Sequence, residues 1–135
     1  DRLGSVDYCP DRSAGPAQAA RWCLPEQGAP ASAALPVVTF NDVVTFYFND
    51  EEIHVVHFPP AHTDGDSVIH FRRANVIHTG DLFTYGQYPF IDVASGGSID
   101  GMIAGAKRLL SLVDADTRLI PGHGPLGDRS RLQEF

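Results

Sequence analysis

The sequence has few positive charges and no long apolar segment, and each shortage excludes a class of protein. Lys and Arg number 10 against 17 Asp and Glu, which gives a formal net charge of −7. A nucleic-acid-binding protein needs a basic stripe, so we expect no nucleic-acid partner. No run of 18 apolar residues and no signal peptide are visible, so we expect no membrane partner. The 135 residues, 43% of them hydrophobic, are enough for one globular domain with a real core.

Cysteine is also scarce, and the two that are present do not form a metal-binding pattern. Cys9 and Cys23 make no C-x-x-C pair and have no histidine nearby. Two alternatives stay open: one disulfide in an exported protein, or two free thiols in a cytosolic one. The location is therefore undetermined, and a periplasmic or secreted location is compatible with a Cys9–Cys23 disulfide.

The chain divides into two regions of different character. Residues 1–36 are rich in Ala, Pro, Gly, Ser and Arg, which predicts an irregular, partly helical N-terminal segment. Residues 37–135 form the second region, and they begin with short runs of β-branched and aromatic residues separated by turn residues. Such runs predict a meander of antiparallel strands. The runs are "VVTF", "VVTFYF", "EEIHVVHF", "SVIHFRR" and "NVIHTG".

The rest of the chain predicts a crossover through a helix. "SIDGMIAGAKRLLSLVDA" has apolar residues at the spacing of an amphipathic helix over 98–113, with Ser98 as N-cap. A strand over 117–120 follows, and "LGDRSRLQEF" predicts a last short helix. We therefore expect an α/β (α+β) fold, mostly an antiparallel meander with one βαβ crossover.

This topology brings three ligand-type residues to one edge of the sheet. Sequential antiparallel pairing makes strands 53–58 and 76–79 point the same way, and the crossover adds strand 117–120 in that direction. His62, Asp81 and His123 follow the three strand ends, each in a turn flanked by Gly or Pro. Two imidazoles and a carboxylate are a zinc ligand set, so we predict a metal site there.

The other histidines and the acidic residues beside His62 favour structural roles. Two of the histidines lie an odd number of positions apart on one strand and face opposite sides of the sheet. The nearby aspartates suit turn chemistry, since Asp readily bonds its own backbone. These residues are His54, His57, His70 and His78, with Asp64 and Asp66.

Three strings of this sequence resemble a known family. "AHTDGDSVIHF", "VIHTGDLF" and "LIPGHGP" are similar in order and spacing to the second, third and fourth metal motifs of the metallo-β-lactamase superfamily. The resemblance covers roughly residues 35–135. It implies that His62 completes a first metal site, that Asp81 bridges two metals and that His123 belongs to the second.

One departure from the family pattern is large. The first family motif, H-x-H-x-D-H, is absent, because the sequence contains no H-x-H. The resemblance therefore implies half of an αββα sandwich, the C-terminal half, without the usual two-metal site. We expect at most one zinc per chain, held with modest affinity through His62, Asp81 and His123.

The resemblance implies a zinc-dependent hydrolase that cleaves an amide, ester, thioester or lactone of a small-molecule substrate through metal-bound hydroxide. Two other interpretations stay open: a metal-binding module without turnover, and a structural remnant that holds no metal. Tyr85 and Tyr88 either line the entrance of the site and bind substrate, or pack as ordinary loop residues. A half-sandwich leaves one sheet face uncovered, so we expect a homodimer or a complementing N-terminal half; coverage by residues 1–36 is the competing idea.

Overall fold

A computed structural model describes residues 38–135, and a five-stranded sheet lies at its centre. The strand order in the sheet follows the order in the chain. The first four strands form an antiparallel meander, and the fifth is parallel to the fourth. The strands are β1 (Val43–Phe48), β2 (Glu51–His57), β3 (Ser67–Phe71), β4 (Val76–Thr84) and β5 (Arg118–His123). The predicted mixed fold, a meander with a crossover, is confirmed.

Within residues 38–135, two α-helices accompany the sheet, both where the sequence predicts them. Helix α1 (Ile99–Leu112) forms the crossover from β4 to β5, and helix α2 (Arg129–Glu134) follows β5. The Ser98 hydroxyl accepts a hydrogen bond from the Gly101 amide, which confirms the predicted N-cap. A 3₁₀ turn at Val93–Ser95, which the sequence did not predict, precedes α1.

Glycine in the first turn of α1 is required by packing. Glycine has a low helix propensity, so local structure alone would disfavour Gly101 at this position. A Cβ placed on Gly101 would lie 1.4 Å from the Pro60 carbonyl oxygen. The α1 backbone therefore packs directly on the loop that carries His62.

The hydrophobic core lies between one face of the sheet and α1. Its members come from β3, β4 and β5, from the loop after β2 and from both helices, which ties the site loops to the sheet. The buried residues of this core include Phe58, Val68, Ile77, Leu82, Met102, Leu109, Leu119 and Leu132. The core therefore fixes the positions of the strand ends where the candidate ligands lie.

Three boundary predictions are wrong in detail. Residues 38–40 of the "VVTF" run are not part of the sheet, because β-propensity needs a paired neighbour and the described sheet ends at β1. Strand β4 continues to Thr84 and β5 to His123, beyond the predicted ends. Their pairing shifts register on both sides of Gly80, so Asp81 and His123 lie in irregular strand rather than in turns.

Some predictions fall on residues that the structure leaves undescribed. The N-terminal segment 1–36, its boundary with the second region, and the pair Cys9 and Cys23 all lie outside residues 38–135. Within that range, neither helix has the length and apolarity that crossing a lipid bilayer requires.

Candidate metal centre

The loop after β2 is folded around the Asp66 carboxylate. This carboxylate accepts hydrogen bonds from the His62 amide at 2.7 Å and from the Thr63 amide and hydroxyl at 3.2 and 3.0 Å. Burial raises the pKa of Asp66, and the hydrogen bonds from Thr63 act in the opposite direction. The predicted turn role of Asp66 is confirmed, and its effect is to fix the backbone of His62.

The imidazole of His62 is oriented by a backbone carbonyl. Its Nδ1 lies 2.8 Å from the Phe90 carbonyl oxygen. A carbonyl only accepts, so Nδ1 carries the hydrogen and Nε2 of the neutral ring is left with its lone pair. Metal-binding histidines are commonly held in this way, with one ring nitrogen donating to a carbonyl and the other facing the ion.

The Asp81 carboxylate lies between two imidazoles. Its Oδ2 is 3.3 Å from Nε2 of His62, and its Oδ1 is 3.3 Å from Nε2 of His123. Asp81 comes from β4 and His123 from the end of β5, so the parallel pairing of these strands brings them together. The three residues that the sequence predicts to converge do converge, and 64% of the His123 side chain is exposed.

The end of β5 approaches Asp81 so closely that position 122 has no room for a side chain. A Cβ placed on Gly122 would lie 2.0 Å from Oδ1 of Asp81 and 2.8 Å from the Gly80 carbonyl carbon. Real Cβ atoms do not come this close to other heavy atoms. The absence of a side chain at Gly122 is therefore what leaves space for the carboxylate.

The donor atoms fit a cation in pairs. Two ligands of a tetrahedral zinc ion, each about 2.0–2.1 Å from the metal, are roughly 3.3–3.4 Å apart. Each His–Asp pair has this separation. With Nδ1 of His62 donating to Phe90, the Nε2 lone pair and the Asp81 carboxylate face each other as two acceptors, an arrangement that a cation or a proton relieves.

The same residues do not make a complete three-ligand site. Across residues 38–135, no three His, Cys, Asp or Glu side chains are grouped so as to hold one ion together. One carboxylate shared by two separate histidines gives two ligands to each position. The predicted holding of one ion by all three residues is therefore not seen in residues 38–135, and the affinity for an ion stays a prediction.

The remaining histidines are engaged locally. Nε2 of His54 contacts the Glu52 carboxylate at 2.5 Å, and Nε2 of His57 donates to the Asp64 carbonyl oxygen at 2.9 Å. Nδ1 of His78 accepts from the Gly80 amide at 3.1 Å. His70 is buried, and burial is the main cause that lowers its pKa.

Tyr85 and Tyr88 lie in the segment that links Asp81 to Phe90. The Tyr85 amide donates to the His123 carbonyl oxygen at 2.9 Å, which joins this segment to the end of β5. Both tyrosines line a cleft of about 380 Å³, and Tyr88 is 97% exposed. Their role in substrate binding stays a prediction.

Two residues that shape the site were missed by the sequence analysis. Phe90 acts through its backbone carbonyl, which every residue has, so no sequence signal was available for it. Gly122 stands inside the "PGHGP" string, and a glycine directly before a candidate ligand is a signal that was available.

Comparison with known proteins agrees with these observations. A family model described as the metallo-beta-lactamase superfamily matches residues 6–123, most of the chain. None of the curated proteins is a significant match. The structure of TTHA1623 in a di-iron-bound form is 28% identical, with a TM-score of 0.59, over 71% of this chain and 45% of that one.

Two further solved structures share the fold. A metallo-β-lactamase from Pontibacter korlensis is 26% identical, with a TM-score of 0.62, over 73% of this chain and 46% of that one. The BLEG-1 B3 metallo-β-lactamase is 20% identical, with a TM-score of 0.60, over 72% of this chain and 46% of that one, and shows likeness of fold alone. The chain thus spans about half the length of these structures. By its family match and its fold, the chain belongs to the metallo-β-lactamase superfamily.

Proposed function

We propose that this chain carries part of the metal centre of a zinc-dependent hydrolase acting on an amide, ester, thioester or lactone of a small molecule. The observation that carries the proposal is the Asp81 carboxylate, placed 3.3 Å from the Nε2 atoms of both His62 and His123. When bound there, zinc supplies Lewis acidity that lowers the pKa of a water ligand and polarises the substrate carbonyl.

The chain's own residues hold the donor atoms ready for the ion. The Asp66 carboxylate fixes the His62 backbone, and the Phe90 carbonyl holds the ring with its Nε2 lone pair towards Asp81. Gly122 keeps the space that the Asp81 carboxylate occupies. Donor atoms held by such contacts need less ordering when an ion binds.

The pairwise arrangement of the donor atoms supports a second candidate function for the isolated chain, which is metal binding without catalysis. Two ligands per ion position and an absent H-x-H-x-D-H motif support metal binding without turnover. Turnover would then require ligands from another segment or from a second copy. The di-iron form of the 28% identical TTHA1623 makes iron the first metal to compare with zinc.

Metal analysis tests the ligand assignment. We expect up to one zinc per chain after dialysis against a small excess of zinc, and loss of stoichiometric zinc in His123→Ala. His54→Ala is the matched control, because its imidazole contacts Glu52 on a strand and is not a proposed ligand. Equal zinc in the wild-type protein and His123→Ala would refute the assignment, and iron in place of zinc would refute the choice of metal.

A hydrolysis assay separates the two candidate functions. Zinc-loaded protein is offered one lactam, one lactone, one ester and one thioester. Zinc-dependent turnover that His123→Ala abolishes supports the hydrolase. Stoichiometric zinc without any turnover supports the non-catalytic metal-binding module instead.

A further inference from the structure

Four of the ten residues that line the cleft containing the two tyrosines are aromatic. It lies between the segment after β4 and helix α2, and its volume of about 380 Å³ is in the range of small-molecule pockets. Phe83, which is 1% exposed, stacks on Tyr85 with ring centres 6.3 Å apart and meets Phe135 edge to face at 5.4 Å. Tyr88 lines the cleft at its rim and is 97% exposed.

The charged groups of this cleft neutralise each other. Arg131 donates to the Glu134 carboxylate at 2.8 Å, and its guanidinium lies 5.5 Å from the centre of the Tyr85 ring. Both residues line the cleft, and no other Lys, Arg, Asp or Glu does so in the described part of the chain. A ligand with a negative charge would find no unpaired cation here, whereas an uncharged ring would meet aromatic walls and a guanidinium plane.

The backbone of one cleft wall connects the cleft to the candidate metal centre. The segment that forms one wall begins two residues after Asp81 and ends directly before Phe90, whose carbonyl orients His62. The Tyr85 amide donates to the carbonyl of His123. The Phe90 ring lies 5.9 Å from the His62 ring and is 71% exposed. Phe90, the residue that follows the cleft wall, therefore places an exposed apolar ring beside the His62 imidazole.

We propose that this cleft binds an uncharged aromatic ring of the substrate, next to the bond that is cleaved at the metal centre. The assignment to a substrate rests on the proposed hydrolase function. Exposed aromatic residues beside a reactive centre gain free energy when a flat apolar group covers them, and the neutral Arg131–Glu134 pair disfavours a carboxylate at the same place.

Binding of small probes to metal-free protein tests the cleft without requiring activity. Phenylacetamide, cyclohexylacetamide and phenylacetate are titrated into ¹⁵N-labelled protein in the presence of a chelator. We expect phenylacetamide to shift the amide signals of residues 84–88 and 131–135, and to bind at least about threefold more tightly than the other two probes. Shifts elsewhere only, or tightest binding of phenylacetate, would overturn the proposal.

Two variants localise the effect. Tyr88→Ala removes an exposed ring of the cleft and weakens phenylacetamide binding by at least about threefold. Tyr47→Ala is the matched control, because Tyr47 is a tyrosine on β1 that is 78% exposed and does not line this cleft. Equal affinity in these two variants would refute the role of Tyr88.

The charge argument has its own variant. Glu134→Gln leaves Arg131 without its carboxylate partner, so the variant should bind phenylacetate more tightly than the wild-type protein does. No gain in phenylacetate affinity would show that the Arg131–Glu134 pair does not set the preference for an uncharged ligand.

Failure of the cleft and failure of the hydrolase proposal give different results. Zinc that depends on His123, without any phenylacetamide binding, refutes the cleft and leaves the metal centre intact. Phenylacetamide binding at residues 84–88 by a protein that takes up no zinc in the metal analysis refutes the hydrolase and, with it, the assignment of the bound ring to a substrate.

Discussion

At the scale of single residues, the candidate site depends on the space around one carboxylate. Asp81 reaches both histidines only because nothing projects from Gly122, where a Cβ would lie 2.0 Å from Oδ1 of Asp81. A side chain at this position does not remove a ligand. It displaces one, and it also meets the backbone of β4, because the same Cβ would lie 2.8 Å from the Gly80 carbonyl carbon.

We predict that Gly122→Ala loses zinc to about the same extent as His123→Ala and is less stable than the wild-type protein, since its methyl group also meets the Gly80 backbone. The added methyl group forces the Asp81 carboxylate away from the two imidazoles. Zinc content is measured beside far-UV circular dichroism and the thermal midpoint. Full zinc content in a folded Gly122→Ala protein would show that Asp81 is not needed in its present position.

At the scale of the elements, helix α1 shows how packing reverses a local preference. Gly→Ala within a helix usually stabilises by roughly 0.5–1 kcal/mol. At Gly101 the new Cβ would lie 1.4 Å from the Pro60 carbonyl oxygen, which is backbone and cannot rotate away. At Gly105 the nearest atom is the end of the Leu82 side chain at 2.9 Å, which can adjust.

We predict that Gly101→Ala destabilises the protein by about 1–3 kcal/mol, the usual cost of overpacking. Gly105→Ala, the control in the same helix, should change the free energy of unfolding by less. Urea unfolding of both variants measures the difference. A Gly101→Ala protein as stable as Gly105→Ala would mean that α1 is free to move away from the His62 loop.

Strand β3 carries a buried histidine that makes stability depend on pH. Burial lowers the pKa of His70 from the ordinary value of 6.5, and the positive charges of Arg72 and His54 act in the same direction. Glu51 and Asp114 oppose the shift. Because the fold favours the neutral ring, its full stability is present above pH 6.5 and is lost as the pH falls below that value.

We predict that the wild-type protein loses more unfolding free energy between pH 7 and pH 5 than His70→Leu does. Leucine is apolar at all pH values, and the histidines other than His54, which is paired with His70 across the strands, contribute equally to both proteins. Urea unfolding at pH 7, 6 and 5 gives the two slopes. Parallel slopes would show that His70 is protonated as easily in the fold as in the unfolded chain.

At the scale of the whole molecule, the second face of the sheet is apolar and only partly covered. Ile77 belongs to the core on the α1 side, so its neighbour Val76 faces the other side. Phe46, Ile53, Phe71 and Val76 are directly opposite one another across four strands and therefore form a row on that face. Phe46 is 43% exposed, and the other three are half-buried.

We propose that a second copy of the chain covers this face in solution, with a complementing N-terminal half and coverage by residues 1–36 as the alternatives. A standard interface buries roughly 800 Å² on each partner. Light scattering at micromolar concentration should give about twice 14.6 kDa for the wild-type protein. Phe46→Lys should shift the mass towards the monomer, since it places a charge in the row.

Two results would contradict the dimer. A mass of 14.6 kDa that persists on concentration would mean that the face is covered within one chain. A dimer that Phe46→Lys leaves unchanged would mean that the copies associate through another surface. Tyr47→Lys, on the neighbouring exposed position of β1, controls for the added charge itself.

The sequence by itself determined the order of the elements, the helix cap at Ser98 and the convergence of His62, Asp81 and His123. These follow from local periodicity and from the rule that strands joined by a crossover run parallel, so no distant contact had to be known. Only the tertiary structure decided how the residues meet. The irregular extension of β4 and β5, the Phe90 carbonyl beside His62 and the close approach of Gly122 to Asp81 are contacts between segments far apart in the chain. No local pattern encodes them, because each depends on where another segment packs.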